Sequence, residues 1–179
     1  PKSLGFDEAA ALPVGGMTAL YLLKKAKLSK DQRVLVFGAS GSVGSFALQI
    51  AKAQDATVVA VCSGSNIEMV KSLGADSAVD YKHQDYSSLN EKFDIVFDAV
   101  GKTSKVKAKR ILKKGGCYVS VKALTSPTQE HLEELCELAE EGKIRPFIDK
   151  TFPLADIVEA HEYVDKGRKK GNVVIQVAK

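Results

Sequence analysis

Tryptophan is absent from this 179-residue chain, methionine occurs twice and cysteine three times. The cysteine count is odd, and Cys62, Cys117 and Cys136 stand far apart with no CxxC spacing. That argues against a disulfide framework and against a structural zinc site, whose ligands come in close pairs. Each cysteine lies among apolar residues and reads as a small core side chain. Such thiols suit a reducing compartment, and a cytoplasmic location is expected. No apolar run reaches membrane-span length, so no membrane association is expected. No repeat or low-complexity tract is visible. Charge of one sign is scarce as well: 26 Lys and Arg against 22 Asp and Glu leave a net charge of +4. So mild an excess reads as solvated surface, and no nucleic-acid partner is expected. The basic stretches Lys105–Arg110 and Gly167–Lys170 are assigned to exposed helix ends or loops. The chain opens on Pro1 rather than Met, as a piece of a longer protein would, and a targeting segment upstream stays open.

What is present is the composition of one globular domain: 45% hydrophobic and 27% charged residues, with enough length for a full core. Residues 7–27 read as helical, with an interruption at Pro13. Val34–Phe37 is a continuous apolar run, the pattern of a strand buried on both faces. A glycine-rich turn follows, then a helix with Phe46, Ile50 and Ala51 facing inward. Further strands are read at Val58–Cys62, Ser77–Asp80, Asp94–Phe97 and Cys117–Val121. Between them lie a helix at Ile67–Leu73 stopped by Gly74 and one at Ser104–Leu112 ending at Gly115-Gly116. Ser126-Pro127-Thr128-Gln129 offers an N-cap, a proline at the first helical position and a capping box. The helix it opens carries a stripe of Leu132, Leu135, Cys136 and Ala139, and stops at Gly142. Pro146–Phe152 looks extended. Ala155–Val164 is a last amphipathic helix with Ile157, Ala160 and Val164 on its apolar side, and Val173–Val177 a terminal strand. Strands alternating with helices mean βαβ units and right-handed crossovers. The fold class is therefore α/β, a doubly wound parallel sheet of the Rossmann type in three α/β/α layers.

The chemistry concentrates in Gly38-Ala39-Ser40-Gly41-Ser42-Val43-Gly44. The segment follows a strand and opens a helix, the context in which a glycine fingerprint carries meaning. A pyrophosphate must come close to the backbone near Gly41, and the helix start offers unpaired N–H groups and a positive dipole end. Gly44 lets helix and strand pack tightly. The match to G-x-G-x-x-G is imperfect, because the first glycine position falls on Ala39 with Gly38 one place earlier. A tight strand-to-helix turn without a ligand is the bland alternative.

The end of the second strand bears on which nucleotide is bound. An NAD site usually places Asp or Glu there to hold the ribose 2′-hydroxyl. Here the residues are Cys62-Ser63-Gly64-Ser65-Asn66, with no carboxylate before Glu68. That pattern favours NADP(H), with Ser63 and Ser65 facing the 2′-phosphate. The two serines could instead simply cap the next helix. Tyr118–Lys122 matches a YxxxK pair, but that pair needs helical spacing and this segment reads as strand. His83, His131 and His161 read as solvated surface residues.

Several segments together resemble the medium-chain dehydrogenase/reductases, in particular the zinc-independent, zeta-crystallin-like quinone oxidoreductases. They are Phe6–Leu23, Gly38–Gly44, Gly74-Ala75-Asp76, Phe97–Gly101 and Gly171–Ile175, in the family's order. The resemblance implies a two-domain enzyme that reduces quinones or activated alkenes by hydride transfer from NADPH. This chain resembles its second domain. Residues 1–30 would be the lead-in from a missing GroES-like domain, 31–150 the NADP-binding domain, and 151–179 the segment returning towards the missing part. Ser40, Ser42, Val43 and Gly44 would meet the pyrophosphate, with Gly41 between them. Ser63 would meet the 2′-phosphate and Tyr81 the adenosine end, although a packing role for Tyr81 is an equal alternative. Val100, Gly101 and Val121 would lie near the nicotinamide ribose. Where many relatives have a basic residue near the 2′-phosphate, this chain has Ser65-Asn66, so Lys82 or Lys71 would have to substitute. A homodimer stays open, although the short Lys122–Thr128 connection argues against the route many relatives use, an edge strand paired across a dimer. No metal is expected and no catalytic acid or base is motivated. The partner would be a small quinone or enone. The rival readings are a non-catalytic nucleotide-binding module and a methyltransferase, the latter disfavoured by the missing acid.

Overall fold

Continuous apolar runs need cover on both faces, and the chain supplies it by crossing over between strands. In the computed structural model, which describes residues 1–177, five strands form one parallel sheet. They are β1 (Arg33–Phe37), β2 (Thr57–Cys62), β3 (Ser77–Asp80), β4 (Phe93–Asp98) and β5 (Leu112–Ser120), in the order β3-β2-β1-β4-β5. The central strand is β1: Val36 pairs with Ala60 of β2 on one side and Phe97 of β4 on the other. The chain runs outward through β2 to β3, then returns to start again at β4. The crevice between those two excursions opens at the carboxyl ends of the strands, where open α/β sheets bind ligands.

The pleat sorts the side chains. Val34, Val36, Val58, Ala60, Ile95 and Phe97 face a core built with α1 (Phe6–Lys25), α2 (Ser42–Ala53), α3 (Ile67–Ser72) and α5 (Gln129–Glu140). Leu35, Val59, Val61, Phe93 and Val96 face the opposite side, covered by α4 (Lys105–Lys109) and a short 3-10 turn at Tyr86–Ser88. Three layers result, as the alternating pattern implied.

The local boundaries differ from the sequence reading in four places. Pro13 does not interrupt α1, which runs unbroken for 20 residues. Its ring sits on the exposed side, while Leu12, Gly15, Gly16, Ala19, Leu20, Leu22 and Leu23 are buried. That burial outweighs a proline cost of about 3 kcal/mol. Gly115-Gly116 do not end a helix. The helix α4 is only five residues long, and the glycines lie within β5, where the register slips between Phe93↔Leu112 and Ile95↔Cys117. Gly115, at φ +83°, takes up the extra residues of that bulge. The cap of α5 is Thr128 rather than Ser126, and His131 completes its capping box by accepting the Thr128 N–H at Nδ1, 3.1 Å. His131 is therefore half-buried, tilted against Tyr21, and not a free surface residue. Finally, in α6 (Ile157–Asp165) only Ala160 is buried, and Ile157 is 38% exposed. Of the cysteines, Cys62 is buried whereas Cys117 and Cys136 are half-buried, and all three are free thiols.

The last two strands, β6 (Ile148–Pro153) and β7 (Asn172–Gln176), make a separate parallel pair. This pair is tied to the main body at the glycine-rich turn. Gly171 N–H donates to Ser40 O at 2.8 Å, and Gly171 and Gly41 form a parallel bridge. At the opposite end of the sheet, two carboxylates fix the starts of the central strands: Asp76, whose Oδ2 accepts the Val58 N–H at 2.7 Å, and Asp94. Asp94 Oδ2 accepts the Arg33 N–H and Lys113 Nζ, each at 2.8 Å. Burial pushes the Asp94 carboxyl up, but those donors outweigh it and leave it below the usual carboxylate range.

Candidate functional site

The turn from β1 to α2 is shaped by its own backbone. Gly38 and Ala39 N–H both donate to Val61 O, at 2.9 and 3.1 Å, so the turn is held against the end of β2. Gly41 N–H donates back to Gly38 O at 3.1 Å. Gly41 is the N-cap of α2 and brings no side chain to the helix start. The first helical bond runs from Ser45 N–H to Gly41 O at 2.9 Å. The amides of Ser42, Val43 and Gly44 therefore precede the hydrogen-bonded ladder, and their donors point out of the helix end. A Cβ at Gly44 would stand 2.1 Å from Gly38 O and 2.8 Å from Ala39 Cα, so helix and strand meet there backbone to backbone. At Gly41 a Cβ would find only Gly38 O, at 3.5 Å. The bend is not plugged by side chains.

In front of it lies a cavity of about 640 Å³ at the carboxyl edge of the sheet. Gly38, Ser40 and Gly41 form one wall, and Cys62, Ser63, Ser65 and Asn66 a second. Tyr81 and Val100 flank them. A polar chain runs along the floor. Ser63 Oγ is 3.2 Å from Ser65 Oγ, and Asn66 Nδ2 donates to Ser40 Oγ at 2.9 Å. Neither Ser63 nor Asn66 makes a side-chain cap bond to the turn and helix they precede, so the Ser63 hydroxyl is not consumed by capping.

The lining is one-sided in charge. Lys82, Lys102, Arg168, Lys169 and Lys170 all contribute, and no carboxylate does among the described residues. The stretch Gly167–Lys170 is thus a loop, as expected, with Gly167 and Arg168 exposed and Lys169 and Lys170 half-buried, and all four residues line the cavity. It is held by the Gly171–Ser40 bond and by Asp149, whose Oδ2 accepts the Lys170 N–H at 2.9 Å and the Tyr163 hydroxyl at 2.7 Å. Burial lowers the Lys169 pKa and Asp149 opposes that shift. Cys62 behaves oppositely: burial, then Asp80, pushes its thiol up to about 11, so it stays protonated.

The residues named from sequence divide into two groups. Ser40, Gly41, Ser63, Ser65, Tyr81 and Val100 line the cavity together, and Tyr81 is 52% exposed there rather than packed away. Ser42, Val43, Gly44, Gly101 and Val121 do not line it. The Ser42 hydroxyl donates to Asn172 Oδ1 at 2.5 Å, on the β7 side, so only its amide is free to face the bend. Val43 and Val121 pack against the core, and Gly44 and Gly101 are buried. Of the two lysines considered as substitutes, Lys82 lines the cavity. Lys71 is placed instead beside Glu68, 3.7 Å away. The sequence reading missed Lys102, Asn66 and the basic loop as lining, and passed over Asp98 behind it. A run of three cations just before the Gly171 that pairs with the fingerprint was the available signal.

The zinc-binding dehydrogenase family model matches residues 73–128 and 119–175. The chain is 39% identical to the 2-methylene-furan-3-one reductase of Solanum lycopersicum, over 98% of this chain and 48% of that protein. It is 33% identical to the NADPH-dependent alkenal/one oxidoreductase, chloroplastic, of Arabidopsis thaliana, over 98% of this chain and 48% of that one. Among solved structures, the quinone oxidoreductase from Coxiella burnetii superposes with a TM-score of 0.91 at 31% identity, covering 99% of this chain and 63% of the other. The chain thus spans about half the length of these curated relatives. Among the described residues, no three His, Cys, Asp or Glu side chains gather as metal ligands would. The zinc of the family's description therefore finds no fitting ligand set among these residues.

Proposed function

Because the chain belongs to the zinc-binding dehydrogenase family, among the medium-chain dehydrogenases and reductases, we propose that it is the NADPH-binding part of a reductase of quinones or enones. The observation that carries this reading is the cavity that joins an unobstructed helix start to a lining of five cations and, among the described residues, no acid. A dinucleotide fits that chemistry. Its diphosphate would rest on the amides of Ser42, Val43 and Gly44, where the dipole of α2 favours negative charge. Its adenosine would lie towards Tyr81 and Ser63. A 2′-phosphate would meet Lys82, Arg168 and Lys169, which is the argument for NADPH over NADH. Asp80 sits close by, its Oδ2 2.5 Å from where a Cβ on Gly64 would stand, but it does not line the cavity. Bound nicotinamide supplies a hydride to an electron-poor carbon, and the protein's part is to bind, orient and exclude water. The pair β6–β7 would link this part to the remainder of the enzyme.

Calorimetric titration of the 179-residue chain with NADPH and NADH side by side tests the reading. NADPH should bind about thirtyfold tighter or more, the worth of two charge-assisted hydrogen bonds. Reduction of a simple quinone by the chain alone should be slow, since the relatives carry as much chain again. Tighter NADH binding would overturn the cofactor assignment, and fast turnover by the chain alone would overturn the division of labour.

A further inference from the structure

Asp98 ends β4 and is 0% exposed. A buried carboxylate is costly unless donors surround it, and here five do. Oδ1 accepts the N–H groups of Gly101, at 2.8 Å, and of Val100, at 3.2 Å. Oδ2 accepts the Tyr118 hydroxyl at 3.0 Å, with the Thr103 N–H and the Ser120 hydroxyl at 3.3 Å. Three of these donors are backbone amides of one turn, residues 99–103. The other two hydroxyls come from β5. The far end of the turn is pinned again, by a hydrogen bond between Thr103 Oγ1 and the Tyr86 hydroxyl.

The turn so held touches the nucleotide cavity directly. Val100 lines it, and the Val100 side chain lies against Gly38: a Cβ on Gly38 would be 2.6 Å from Val100 Cγ1. The wall therefore sits on the β4 side of the crevice, whereas Ser63 and Tyr81 sit on the β2 and β3 side. A diphosphate placed at α2 puts the adenosine on one side and the nicotinamide half on the other.

We propose that Asp98 is a positioning residue for the nicotinamide half of the cofactor, acting through the Val100–Gly101 wall that its carboxylate holds in place. The inference rests on the nucleotide-binding reading above. Without the carboxylate, the buried Gly101 N–H loses its acceptor, the turn relaxes, and Val100 leaves its contact with Gly38.

The test uses the full chain and two probes, NADPH and 2′,5′-ADP, which has the adenosine end and no nicotinamide. For Asp98→Ala, NADPH affinity should fall about tenfold, the cost of losing one hydrogen bond to a charged group. The 2′,5′-ADP affinity should change less than about twofold, the scatter of a distant site. Asp98→Asn keeps one acceptor oxygen for Val100 and Gly101 and should lose only about threefold for NADPH, a fraction of the same bond energy. If Asp98→Ala does not fold, Asp98→Asn carries the comparison. Equal losses for both probes, or no loss for either, would overturn the proposal by making the role purely structural or absent. Wild-type chain that binds neither probe would overturn the nucleotide reading itself, and the proposal with it.

Discussion

Gly44→Ala should destabilise the chain by about 3 kcal/mol or more, at the upper end of overpacking costs. The added Cβ would face Gly38 O at 2.1 Å and Ala39 Cα at 2.8 Å, and both obstacles are backbone. Neither can swing aside as a side chain tip would. Relief requires α2 to move away from β1, and the core residues on α2, Phe46, Leu48 and Ile50, would move with it. For a domain of this size the loss corresponds to a fall in Tm of about 6–12 °C. NADPH binding should weaken in parallel, because the amides of residues 42–44 shift together. Gly41→Ala separates the two effects. Gly41 has an ordinary extended backbone, φ −84° and ψ 178°, and its Cβ would make only a 3.5 Å contact. Stability should change by less than about 1 kcal/mol, as at an unstrained site. The methyl group would nevertheless project where a phosphate has to approach, so NADPH affinity should fall about tenfold or more. Thermal unfolding and titration of both variants check this. If Gly41→Ala bound NADPH like wild type, close backbone approach would not be what the turn is for.

The double variant Arg168→Ser with Lys169→Ser should weaken NADPH binding about thirtyfold or more while changing NADH less than about threefold, since two charge-assisted bonds to a 2′-phosphate are removed. One tie goes with Lys169, whose Nζ donates to Gly171 O at 2.7 Å, but the loop should stay docked by its backbone anchors. Gly171 N–H still donates to Ser40 O, and Asp149 still accepts the Lys170 N–H. The salt dependence of NADPH affinity should flatten as well, since exposed charge contributes through a screened field. Equal losses for the two nucleotides would show that the loop contacts the diphosphate or merely shapes the cavity.

Residues whose partners lie close in sequence were the legible ones. The strands β1, β2 and β4 announce themselves as unbroken apolar runs, and Gly38–Gly44 sits between a strand and a helix as the fingerprint logic needs. Where the sequence misled, a partner distant in the chain decided the outcome. Pro13 is tolerated because α2 and α5 bury the other face of α1, which no local propensity reports. The glycines at 115 and 116 read as a helix stop, but the pairing of β4 with β5 turned them into a bulge. Lys169 and Arg168 read as solvated charge, since nothing local says that Gly171 reaches back 130 residues to pair with Gly41. Asp98 was passed over because a single acid at a strand end has many uses. Its five donors come from a turn and a neighbouring strand, and only their convergence gives it meaning.

The claim beneath all of these is that a diphosphate lies on the exposed amides at the start of α2. Titrating NADPH into isotope-labelled chain while following backbone amide resonances tests it most directly. The account expects the Ser42, Val43 and Gly44 signals to shift most, in step with Gly41, and to saturate with the calorimetric affinity. Saturable binding that leaves those amides unmoved would contradict it.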